Sequence, residues 1–154
     1  MPPKGSVQPV LSKRAPKAVG NYSVAVTAET NQVLYVSGQI PIEMPKGSVF
    51  TGDIKKQAEI VMTNLKNIVL DAKFAMEDIA KCTIYLTDMA NYEIVNEVYG
   101  QFFVSRVFPA RAIIGVSSLP KGVGVEIDAV AVRKADSQPN SRSRILEEII
   151  EEKF

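Results

Sequence analysis

Residues 108–134 read FPARAIIGVSSLPKGVGVEIDAVAVRK. The stretch holds two apolar strands, at residues 111–116 and 123–132, joined through a Leu-Pro-Lys-Gly turn. Arg111 heads the first strand, and Glu126 and Asp128 interrupt the Val, Ile and Ala run of the second. Charges on neighbouring apolar strands are seldom buried unless they are paired or used. An ion pair of Arg111 with Glu126 or Asp128 is one reading, and a functional site is the other. Along the second strand the period of two puts Val123, Val125, Ile127, Ala129 and Ala131 on one face. Gly124, Glu126, Asp128, Val130 and Val132 fall on the other, so both faces carry apolar residues.

Working back along the chain, residues 54–74 carry apolar side chains at helical spacing: Ile54, Ala58, Val61, Met62, Leu65, Ile68, Val69 and Ala72. Asp53 stands where an N-cap belongs. Residues 79–86 form a strand. A second helix follows over residues 92–103, capped by Asp88 or Asn91 and burying Val95, Val98, Tyr99 and Phe102. Further upstream, residues 22–27 and 33–40 are strand-like, and the polar residues 29–32 between them predict a hairpin. Pro41 ends the second strand, and residues 43–52 read as a loop. The order β-β-α-β-α-β-β predicts an α+β domain, a mixed sheet with two helices packed on one face. Two helices cover one face only. The other needs a second cover, and a homo-oligomer is the economical one.

The 154 residues suit one domain. We place it at residues 21–134, after a flexible basic arm over 1–20 and before a linker and short acidic helix candidate over 135–154. The net charge of +1 calls for no polyanionic partner. No apolar run is long enough to span a bilayer, and the N-terminus lacks the apolar core of a signal peptide. Cytoplasm is the expected compartment, with mitochondria the alternative because the arm is basic and free of acids. A single cysteine, Cys82, excludes an internal disulfide and reads as an inert packing residue. The count of zero histidines excludes His-based acid–base catalysis, Ser-His and Cys-His nucleophile pairs and His-ligated metals. It also argues against efficient RNA cleavage, as does the lack of a basic stripe or an aromatic platform for bases.

Several short motifs stand in a telling order and spacing: Ala15-Pro16, Gly20-Asn21-Tyr22-Ser23, Ser37-Gly38-Gln39-Ile40-Pro41, Tyr92 through Asn96 to Phe103, Pro109-Ala110-Arg111, Leu119-Pro120 and Val125-Glu126-Ile127-Asp128-Ala129. In this combination the chain resembles the RidA/YjgF reactive-intermediate deaminase family, also called the liver perchloric-acid-soluble protein (L-PSP) family. The resemblance implies a chorismate-mutase-like fold and a homotrimer with ligand clefts between subunits. It implies hydrolysis of enamines and imines, such as 2-aminoacrylate and 2-iminobutanoate, to 2-keto acids and ammonia. It implies no metal or organic cofactor, no nucleic acid and no membrane partner.

Carried over residue by residue, the resemblance makes Arg111 the binder of the substrate carboxylate and Glu126 the residue that positions the hydrolytic water. Tyr22 would line the pocket, and Asn96 would reach in from the second helix. Ser37 and Gly38 would offer a hydroxyl and a backbone N–H, and Ile113 its backbone carbonyl. Asp128 is given a structural role. Read without the resemblance, Tyr22 fits core packing equally well, and Asn96 a solvated helix position. Ala112 and Ile113 replace a common Ser-Cys, and Asn21 and Val24 replace a common Pro and Gln beside Tyr22. Those departures keep a second reading open, a trimer that binds small acids or acts as a chaperone without turnover.

Overall fold

In the computed structural model, which describes residues 7–105 and 107–134, Asp53 caps the longest helix. Its carboxylate accepts the Lys56 N–H at 3.0 Å, supplying one of the partners that the first turn lacks. This helix, α1, spans Ile54–Asp71 and buries Ala58, Val61, Met62, Leu65 and Val69, the stripe expected from the spacing. It stops three residues before the expected end, where Ala72 caps it and Lys73 turns left-handed at φ 66°. The second helix, α2, spans Tyr92–Gln101 and buries Val95, Val98 and Tyr99. Of its two candidate caps, Asp88 acts one turn early. It accepts the Ala90 N–H at 2.9 Å and starts the 3-10 turn Met89–Asn91 that leads into the helix.

The strands are β1 (Val7–Val10), β2 (Ala25–Ala28), β3 (Gln32–Gln39), β4 (Ile42–Glu43), β5 (Ser48–Val49), β6 (Ile79–Leu86), β7 (Ala110–Gly115) and β8 (Val125–Arg133). Four of them make the central sheet in the order β3-β8-β6-β7. The β6–β7 pair, joined through α2, is parallel, and the other two pairs are antiparallel. The fold is therefore α+β with a mixed sheet, as the element order predicts. The expected hairpin of residues 22–27 with 33–40 does not form. β2 pairs with β1 in a separate ribbon, from Val7↔Ala28 to Val10↔Ala25, and β3 pairs with β8. β1 comes from the stretch read as an arm, and Pro9 is tolerated there because a two-stranded ribbon is all edge. Residues 43–52, read as a loop, include most of the small β4–β5 hairpin. Residues 1–6 and the linker and helix candidate at 135–154 lie outside the described residues.

One apolar cluster joins α1 and α2 to a single face of the sheet, through Val36, Cys82, Ile84, Leu86, Val125, Ile127, Ala129 and Ala131. Each large aliphatic side chain buried there contributes roughly 1.5–3 kcal/mol. The opposite face carries Val33, Tyr35, Tyr85, Ile114, Glu126, Asp128 and Val130. Tyr35 is 78% exposed on it. The two-faced pattern read from residues 123–132 is the pattern found: one face filled by helices, the other partly apolar and open except at Val132, which is buried. No described helix is long and apolar enough to cross a membrane.

Candidate active site

Arg111 is the second residue of β7 and points to the helix side of the sheet, alongside its register partner Cys82 on β6. Its Nη1 donates to Asn96 Oδ1 at 2.8 Å. The guanidinium carbon stands 4.9 Å from the Tyr99 ring centre and 5.6 Å from that of Tyr22. Asn96 and Tyr99 are three residues apart on α2 and so share one side of it. A planar cation stacks on such rings while its edge donates hydrogen bonds. The segment that brings Tyr22 here is tied at both sides. Asn21 Nδ2 donates to the Asn96 carbonyl at 2.9 Å. The Ser23 N–H donates to the Pro109 carbonyl at 3.0 Å, and its hydroxyl to the Phe108 carbonyl. Asn21, one of the departures from the family pattern, is thus a bolt between this segment and α2. Tyr22 is held by its own hydroxyl, which accepts the Val19 N–H at 3.3 Å.

Glu126 sits on the open face, opposite Tyr85 of β6. Beside it β3 is irregular: Val36 pairs with Ala129 but Gln39 with Ile127, so β3 spends one extra residue over Ser37 and Gly38. Such a bulge re-aims the backbone locally. The Glu126 side chain lies across Gly38 so closely that a Cβ there would fall 2.7 Å from Oε1 and 2.8 Å from Cδ. Glycine at residue 38 is what lets the carboxylate lie where it does. Asp128, two residues on, accepts the Tyr85 hydroxyl at 3.1 Å, and this bond raises the tyrosine's pKa above its ordinary value.

The sequence-based reading of Arg111 and Glu126 on neighbouring strands is corrected. β6 lies between β7 and β8, and the two side chains leave opposite faces of the sheet. An Arg111 ion pair with Glu126 or Asp128 is overturned for the same reason; the neutral Asn96 amide is the partner. Tyr22 and Asn96 gather around Arg111, while Gly38 lies against Glu126, with Ser37 next to it in the bulge. Ile113 stands on the Arg111 side of β7 with its side chain packed against the core. That leaves its backbone as the group it can offer.

Helical spacing places Tyr99 only in a buried stripe, yet it forms the floor under the guanidinium. Its spacing from Asn96 was the available signal. Its hydroxyl is buried beside the Cys82 thiol, a weak partner, and meets no hydrogen bond of ordinary geometry. Burial raises the Tyr99 pKa well above the usual tyrosine range and pushes the Cys82 thiol up to about 12. A thiol so held keeps its proton at neutral pH and is a poor nucleophile.

Residues 12–133 match the family described as endoribonuclease L-PSP. DfrA of Myxococcus xanthus is 45% identical over 123 residues, which cover 80% of this chain and 93% of that protein. TdcF of Escherichia coli (strain K12), whose name assigns it provisionally to the reactive intermediate deaminases, is 38% identical over 128 residues. That match covers 82% of this chain and 97% of TdcF. The solved structure of E. coli TdcF with bound serine superimposes with a TM-score of 0.63 at 37% identity, covering 82% of this chain and 98% of the other. With the mixed sheet, the two helices on one face and the motifs around Arg111 and Glu126 in place, the chain belongs to the RidA/YjgF, or L-PSP, family.

Proposed function

We propose that this chain hydrolyses small imines and enamines of the 2-iminobutanoate and 2-aminoacrylate type, releasing a 2-keto acid and ammonia. The observation that carries the reading is the state of Arg111. Its guanidinium is half-buried, oriented by a neutral amide and an aromatic floor, and has no carboxylate partner among the described residues. A permanently charged fork kept without its natural counter-ion is a receptor for an incoming carboxylate. The solved structure of TdcF with bound serine supports a ligand of this size and chemistry.

In the proposed reaction Arg111 grips the carboxylate while water attacks the imine carbon. Glu126 accepts a proton from that water as the C–O bond forms. The nitrogen of the resulting carbinolamine is protonated and leaves as ammonia as the C–N bond breaks, giving the keto acid. An imine is already electrophilic, so positioning and exclusion of bulk water supply most of what is needed. A single chain holds Arg111 and Glu126 on opposite faces. We therefore propose a homotrimer in which the open face of one copy meets the Arg111 side of the next, with the substrate cleft between them. The uncovered apolar face with Val33 and Tyr35 supports that assembly.

The test is a coupled assay in which 2-iminobutanoate is generated in situ and its disappearance followed. Arg111→Ala is expected to lower kcat/KM by about 10²-fold or more, the scale of a lost charge-assisted contact. Turnover like that of the wild type in this variant would sink the reading. One observation favours binding without turnover: among the described residues, the surroundings of Arg111 offer amides and tyrosines but no carboxylate base. Keto-acid binding with no acceleration of imine loss would select that alternative.

A further inference from the structure

The guanidinium of Arg111 has two ends. Nη1 is committed to Asn96. Nη2 points toward Gly20, where a Cβ would fall 3.7 Å from that nitrogen and 3.7 Å from Tyr22 Cε1. Both are ordinary contact distances, so a Cβ would fit. Nor does the backbone demand glycine, since Gly20 is absent from the positive-φ residues of the described chain. Gly20 is exposed, and its carbonyl accepts the Tyr22 N–H at 2.8 Å, which fixes its place relative to the ring. Here neither strain nor a steric clash accounts for a glycine. What a side chain would do is cover Nη2, which makes no hydrogen bond among the described residues.

We infer that Gly20 is the aperture of the Arg111 site: its missing side chain decides what reaches Nη2, and admits small carboxylates. This deepens the reading of Arg111 as a carboxylate receptor and rests on it. An aspartate at residue 20 would carry its own carboxylate to within reach of Nη2 and occupy the receptor from inside the chain. Asparagine has the same shape without the charge.

The experiment measures binding of 2-oxobutanoate, a stable keto acid, by calorimetric titration to the full chain and its Gly20→Asp, Gly20→Asn and Gly20→Leu variants. Thermal melting of each variant verifies folding. Gly20→Asp is expected to weaken binding at least about tenfold more than Gly20→Asn, because it replaces the ligand's charge-assisted bond with an internal one. That difference should shrink at high salt, which a merely structural effect would not show. Gly20→Leu, which covers Nη2 without charge, is expected to weaken binding by about fivefold or more and serves if the aspartate variant fails to fold. If the wild type binds the keto acid and all three variants bind it equally well, the aperture is refuted while the receptor stands. If the wild type does not bind it, the receptor reading itself falls and the aperture with it.

Discussion

Replacing Gly38 by alanine separates a structural glycine from one that places a catalytic group. The added methyl would start 2.7 Å from Glu126 Oε1 and 3.1 Å from Cγ, whereas ordinary van der Waals contact begins at 3.4 Å. The carboxylate must therefore withdraw by at least about 0.7 Å, which is most of the roughly 1 Å misplacement that costs an enzyme about 10²-fold. The groups that must move are the far end of a flexible, half-exposed side chain, so the fold can absorb the change for under about 1 kcal/mol. The expected result is a melting temperature within a few degrees of wild type and kcat/KM for 2-iminobutanoate lowered by about 10- to 100-fold. Glu126→Gln should be as impaired, and combining the two should add little, because both act on one group. A Gly38→Ala protein with full activity would refute the argument that the bulge exists to seat Glu126. A protein that unfolds would show instead that Gly38 is needed by the sheet.

Three further expectations concern other parts of the molecule. Tyr99→Phe keeps the ring under Arg111 and removes a buried hydroxyl that lacks a good partner; chemical denaturation should show stability unchanged or raised by up to about 1 kcal/mol, and a loss above that would mean the hydroxyl is bonded. The Cys82 thiol keeps its proton in the fold to about pH 12, whereas an exposed thiol loses it near pH 8.5. The linked stability is whole below about pH 8.5 and falls as pH climbs toward 12, by at most about 1.4 kcal/mol per unit. Tyr99, raised by the same burial, adds to the loss above about pH 10. Urea melts between pH 8 and 11 should show this slope, flattened in its early part by Cys82→Ala; an unchanged slope would reject it. Tyr35→Glu puts a charge on the open face and should dissociate the proposed trimer in sedimentation experiments, whereas a wild type that sediments as a monomer would remove the assembly altogether.

Much of this architecture is legible in the residues because local rules carry it. Asp53 before an amphipathic run marks the start of α1, and the alternation in residues 79–86 and 123–132 shows which side chains meet the helices. The partner of a strand is not a local property. Residues 22–27 and 33–40 look like a hairpin because they are close in sequence and separated by polar residues, yet β2 takes the Val7–Val10 segment. That segment was hidden by the Pro, Lys and Ser around it. Likewise β7 and β8 are joined by a short turn, and nothing in either says that β6 comes between them. This one insertion separates Arg111 from Glu126 and sets what looks like an ion pair on opposite faces of the sheet. Around Arg111, Asn96 could be named from the family pattern, but Tyr99 could not, since an aromatic in a buried stripe looks the same whether it packs or supports a cation.

The position of β8 bears on how the chain comes to be folded at all. It is the last described strand to leave the ribosome, yet it lies inside the central sheet and is the sheet partner of β3. Until Val125–Arg133 has been synthesised, β3 has no neighbour in that sheet, and β6 has only β7. Folding of the central sheet must therefore wait for nearly the whole domain, and its closing step joins segments about a hundred residues apart, as in Gln32↔Arg133. During that wait the apolar strands stand with unpaired edges, the condition in which nascent chains associate wrongly. A chain truncated before Val125 would keep both helices and every other strand described above, and still be unable to build the sheet on which they rest.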